Sequence, residues 1–154
     1  MEPLSAISPG VLGETGIETL ELIRGAVRSV RPDLVIAVDA LAARSCSRLA
    51  TTVQISDSGI VPGSGIGNHR TAITMETLGV PVISVGVPTV VVSSTLVWDA
   101  LREAGIDEVS STLRAVLDNG KRFFVSPKES DLISDAVSEL LAGAISEAFV
   151  GNLS

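Results

Sequence analysis

The sequence predicts an α/β fold with a central, mainly parallel sheet and helices on both faces. Three observations lead there. Two short apolar runs, "DLVIAV" (33–38) and "VPVISVGVP" (80–88), are bounded by prolines or an acid and read as strands buried on both sides. Apolar residues at Ile17, Leu20, Ile23, Val27 and Val30 recur at spacings of three and four, which is one face of a helix. Strand-like and helix-like segments then follow one another along the chain, the pattern of a sheet with covering helices. With 154 residues the chain is expected to be one domain, 1–154. That length buries about 68–70% of the unfolded surface, enough for a full core.

Residues 4–7 are a short apolar piece that reads as a strand remnant or an arm. Thr15, with Glu18 three residues later, is a capping-box signature for the first helix, and Pro32 ends that helix. The first buried strand, 33–38, follows at once. "TTVQIS" (51–56) alternates and reads as a strand with one wetter face. "DSGIVPGSGIGNHR" (57–70) is a glycine-rich turn region with the character of a hairpin. After the strand at 80–88 come helices at 92–103 and 109–118, then "RFFVS" (122–126) as a short strand or extended link. An amphipathic, alanine-rich helix over 128–149 completes the chain. There is no internal repeat or low-complexity linker.

Composition narrows the function classes. The formal charge is −7, and the eleven Lys and Arg residues are scattered, which argues against a nucleic-acid-binding face. A single cysteine, Cys46, excludes an intramolecular disulfide and a cysteine zinc cluster, and fits a reducing cytosol. No apolar run reaches the roughly 18–20 residues of a membrane span. "MEPLSAISPG" has no basic stretch followed by an apolar one, so no signal peptide is expected. A soluble cytoplasmic protein without a membrane partner is the expectation. Aromatic residues are 3% of the chain, so the core must come from Val, Ile, Leu and Ala.

Few residues are left to carry chemistry. Gly63, Gly65 and Gly67 lie in "PGSGIGN", but the lysine of a phosphate-binding loop is absent and no helical run starts directly afterwards, so a tight turn is the simpler reading. His69 is the only histidine and sits in a polar loop, Ser64 lacks the strand-to-helix setting of a hydrolase nucleophile, and Cys46 has no recognisable activating neighbour. No cofactor or metal site is expected. The carboxylates remain. Asp39 ends the strand 33–38, where open α/β sheets place their ligand sites, and three roles are open to it: a cap, a salt bridge with Arg44, or a reacting group. Asp57 occupies the matching place after 51–56, followed by the turn residues Ser58 and Gly59. Two acids at neighbouring strand ends can share a proton, one activating water while the other donates to a carbonyl oxygen.

Five blocks, "SPGVLGETGIET", "PDLVIAVDALAARS", "TTVQISDSGIVPGSGIGNHR", "ETLGVPVISVGVPTVV" and "VSPKESDLISDAV", resemble in this order the spore germination protease family. The likeness runs from residue 5 to about 92 almost without gaps, and resumes over 123–149. The resemblance implies an atypical aspartic endopeptidase that degrades small acid-soluble spore proteins in germinating bacterial spores. It implies a cytoplasmic location in the spore core or forespore, synthesis as a zymogen, assembly as a homotetramer, and an α/β/α sandwich similar to hydrogenase maturation proteases. One of the family's two catalytic aspartates matches Asp39, inside "AVDALAAR".

The other lies in an upstream block resembling "SVTPDALGPK", which has no counterpart in this sequence; the first strands of the family's sheet are likewise expected to be missing. The chain therefore corresponds to the C-terminal part of a longer family protein. Asp57 belongs to the family pattern, without an assigned role. The leading expectation is an endopeptidase built on Asp39, with Asp57 as a second candidate. The alternative is a truncated paralogue or fragment that binds spore proteins, or a full-length subunit, without cutting. A metal-assisted maturation peptidase is the weakest reading, since one histidine and no acidic cluster leave too few ligands.

Overall fold

The computed structural model describes residues 4–10, 12–63 and 70–151. A four-turn-long amphipathic helix does not start at the Thr15–Glu18 signature. Instead a single turn, α1 (Leu12–Thr15), is followed by α2 (Thr19–Val30). Gly16, at φ +66°, breaks the helical path between them. The Thr15 hydroxyl accepts from the Ile17 amide at 3.1 Å, while the Glu18 side chain at the N-cap makes no capping bond. The capping box expected there is therefore not formed. Arg31, in the left-handed region at φ 50°, closes α2 just before Pro32.

The sheet is built on two long strands, β1 (Val35–Ala43) and β3 (Val82–Val92), paired in parallel from Val35↔Val82 to Ala43↔Val91. A register shift between Leu41 and Ala42 leaves Thr89 as an extra residue in β3. The short β2 (Gln54–Ser56) and β4 (Phe124–Val125) both pair antiparallel with β3. The sheet is therefore mixed, with order β1-β3-β2, and not mainly parallel. The cause lies in the link between β1 and β2. Residues 44–53, which include a 3-10 turn at Cys46–Arg48, are too few for the helical crossover a parallel partner needs.

One face of the sheet is well covered. Leu20, Ile73 and Val82 form a buried cluster, with Ile23, Val35, Ala37, Ile60 and Leu78 packed against it. The cover comes from α2, from α3 (Met75–Leu78), and from an antiparallel bridge between Ile60 and Ile73. Gly59 makes that bridge possible: its φ is +80°, and a Cβ there would strike the Ile73 carbonyl. On the opposite face Val38, Val85 and Ile55 form one row across three strands. Val38 is 53% exposed and Ile55 72% exposed, so among the described residues nothing shields the flanks of that row.

The second half of the chain follows the expected order. Helices α4 (Ser93–Glu103) and α5 (Ser111–Asn119) pack side by side, with the Arg114 guanidinium 5.4 Å from the centre of the Trp98 ring. Ser110 caps α5 by accepting from the Leu113 amide at 3.2 Å. The final helix, α6 (Ser130–Val150), half-buries Ile133, Val137, Leu141 and Ile145 along one stripe while Leu132 and Leu140 stand exposed.

Candidate functional site

Asp39 does not end its strand. Ala40–Ala43 are good helix formers, yet they stay extended because β3 runs on and offers ladder partners up to Val91. Asp39 thus sits in the middle of β1, in a row with Gly86 and Gln54. It stands two residues from both Ala37 and Leu41 and so shares their face, which is the covered one. Gly86 is required by that row: a Cβ on it would strike Leu41, whose side chain leans across the gap.

The Asp39 carboxylate is half-buried and bonded to backbone alone. Oδ1 accepts from the Ala40 amide at 2.9 Å, and Oδ2 accepts from the Gly63 amide at 3.4 Å. Gly63 has φ +69°. The segment 60–63 climbs from the Ile60–Ile73 bridge to reach Asp39. Among the described residues no ion pair joins Asp39 to Arg44, so the salt-bridge role is not realised.

Arg70 lies three residues before Ile73, as Gly63 lies three residues after Ile60. Its guanidinium Nη1 donates to the Thr19 hydroxyl at 3.5 Å. Next to Thr19, the Oε1 atom of Glu18 is buried without a hydrogen-bond partner. The bridged segments therefore link two points: Asp39 in β1 and the first residues of α2. Sequence reasoning missed Arg70 and Glu18. Glu18 was visible as part of a capping signature, but Arg70 carried no signal beyond its place at the end of a glycine-rich loop.

Asp57 is elsewhere. β2 runs antiparallel, so its last residue Ser56 pairs with Ser84, and the next position falls level with Ile83 and Ile36. Three residue steps along the strands and two strand spacings across them separate the Asp57 and Asp39 backbones by about 14 Å. Asp57 is exposed, and the proton-sharing pair drawn from matching strand ends does not form in this arrangement.

Of the remaining candidates, Ser64, Gly65, Gly67 and His69 lie outside the described residues. Cys46 is a free, half-buried thiol. Its amide donates to Asp99 Oδ2 at 2.7 Å, and the Ser45 hydroxyl donates to the same oxygen at 3.2 Å. Burial, and then the Asp99 carboxylate, push the thiol above its ordinary pKa and keep it neutral. Asp99 is held below the usual carboxylate range, chiefly by the Cys46 amide, with Ser45 and Arg102 adding to it. This cluster fastens the 3-10 turn to α4. Among the described residues no group of three or more His, Cys, Asp and Glu side chains is placed to hold a metal ion, and no helix is long and apolar enough to cross a membrane.

Comparison with known proteins assigns the family. Residues 1–107 match the germination protease family model. A germination protease from Caldanaerobacter subterraneus subsp. tengcongensis is 48% identical over 153 aligned residues, covering 84% of this chain and 47% of that protein. Its counterpart in Clostridium perfringens strain SM101 is 50% identical over 124 residues, covering 80% of this chain and 37% of the relative. The Priestia megaterium germination protease is 59% identical over 99 residues, covering 64% of this chain and 27% of its own length. The chain spans less than half the length of these relatives. Both the family match and the level of identity lead to one conclusion: the chain belongs to the germination protease family.

Proposed function

We propose that this chain carries an endopeptidase centre built on Asp39, which acts on small acid-soluble spore proteins during spore germination. The single observation behind this reading is the placement of Asp39. Its carboxylate is aimed from the middle of the edge strand β1 at the covered face, is bonded only to amides, and has no neutralising ion pair among the described residues. A carboxylate so held can take a proton from water as that water attacks a peptide carbonyl. Asp57 lies too far away to act as the matching acid, so it is not given that role.

The finer features follow from the same reading. The protein works in the cytoplasm of the forespore or spore core, assembles as a homo-oligomer, and has helices on both faces of the sheet. The row of Val38, Val85 and Ile55, exposed at its two outer residues, supports both the oligomer and a helix on that face, because an apolar row across a sheet is normally covered. The test is direct. Purified chain is incubated with a small acid-soluble spore protein, and fragments are identified by mass spectrometry. Cleavage that disappears in Asp39→Asn supports the reading; cleavage that persists in that variant refutes it. Binding without cleavage, equal in the parent and in Asp39→Asn, supports instead the second reading, a non-catalytic member that holds spore proteins.

A further inference from the structure

We propose that Glu18 and Arg70 form a subsite for the main chain of a bound peptide, beside Asp39. This rests on the peptidase reading above and names how that site holds its substrate.

Two groups at the start of α2 are under-used. Glu18 Oε1 is a buried acceptor with no partner, a costly arrangement that native proteins keep sparingly. Arg70 is a half-buried cation that makes one long bond, 3.5 Å, to a neutral hydroxyl on the adjacent residue Thr19. Among the described residues neither is part of an ion pair, with the other or with anything else. An acceptor lacking a donor thus lies next to a donor lacking an acceptor, and the two are held too far apart to satisfy each other.

A ligand that completes both must donate at one end and accept at the other. A peptide unit does so, with an N–H for Glu18 and a C=O for Arg70. Such recognition reads the backbone and not the side chains. The location agrees with a role in positioning. Gly63, which approaches Asp39 with its amide, and Arg70, which reaches Thr19, each lie three residues from the bridge that joins Ile60 to Ile73. A peptide bound across Glu18 and Arg70 is therefore delivered toward the Asp39 carboxylate. Neither residue is required to exchange protons in this role, so both are positioning residues.

The test uses a peptide from a small acid-soluble spore protein, spanning the bond that is cut, titrated by calorimetry into the Asp39→Asn chain so that it is not consumed. Loss of a hydrogen bond to a charged group should weaken binding about tenfold or more in Glu18→Ala and in Arg70→Ala. Glu18→Gln, which keeps an acceptor oxygen, should recover most of the loss. N-methylation of one particular peptide amide should cost the same as Glu18→Ala, and should cost nothing further in that variant. Thermal unfolding provides the structural control: removal of an unsatisfied buried oxygen should leave Glu18→Ala at least as stable as its parent.

Parent-like binding in both alanine variants overturns the subsite and leaves the peptidase reading intact. Full additivity between every N-methylation and Glu18→Ala does the same. Failure of the peptide to bind the Asp39→Asn chain, together with failure of the parent to cleave, overturns both.

Discussion

Gly86 is the point where packing and the candidate site meet, and replacing it with alanine gives a quantitative test of the structure. The added Cβ would strike a methyl of Leu41 and lie 2.8 Å from its Cγ. Those are side-chain atoms, so Leu41 can turn aside, but the neighbouring β1 and β3 backbones are fixed by their ladder. Overpacking of this kind costs about 1–3 kcal/mol. For a chain of this size that lowers Tm by roughly 4–8 °C at the middle of the range. The variant should be compared by thermal unfolding with Leu41→Ala and with the double variant. Leu41→Ala removes the obstructing methyls, so the double variant should be more stable than the sum of the single effects by about 1 kcal/mol or more. Simple additivity would mean that Leu41 does not lie over Gly86. The row of Asp39, Gly86 and Gln54 would then have been drawn incorrectly, and the orientation given to Asp39 with it.

Other outcomes follow from the site and its surroundings. Asp57→Asn should retain cleavage within about twofold of the parent under conditions where Asp39→Asn has none, as measured by fragment yield; equal loss in both would place Asp57 in the reaction. The Asp99 carboxyl has a folded pKa below its ordinary value of 3.8, so its stabilising contribution is complete above pH 4 and fades as pH falls through the folded pKa. An acid titration of Tm should therefore be shallower below pH 4 in Asp99→Asn than in the parent. The same substitution removes the charge that helps to raise the Cys46 thiol, and should speed its reaction with a disulfide reagent near pH 8. Ser110→Ala should destabilise α5 by about 1 kcal/mol through loss of the cap to Leu113, seen as a lower Tm.

Much of the fold was legible because it depends on local pattern. Most of the apolar run 80–88 falls in β3, which starts at Val82, and the helices expected at 92–103, 109–118 and 128–149 appear within a few residues of those bounds. Three misses have physical causes. β1 outlasts its apolar run because pairing with β3 outweighs the helical preference of its alanines, a contact that exists only in the folded chain. The direction of β2 follows from the length of a connection and not from strand composition. The single turn α3 was hidden by its size, although Thr74 and Thr77 cap it reciprocally and Gly79 ends it in the left-handed region. At the site, Asp39 was legible from its setting and from the family resemblance. The separation of Asp57 was not, since it depends on strand direction. Nor was the meeting of Arg70 with Thr19, which brings together residues more than fifty positions apart.

Asp39 should also matter for solubility. It is the only charged residue among the nine of β1, an edge strand of valine, isoleucine, leucine and alanine with no neighbour on its outer side among the described residues. A long, uncharged edge is a template for stacking copies of the same strand, and one ionised side chain in its middle is the usual protection. Asp39→Asn therefore disarms a gatekeeper as well as a candidate base. Its solutions should scatter light at lower protein concentrations than the parent, and its loss of cleavage carries meaning only when the two are compared at equal concentrations of dispersed protein.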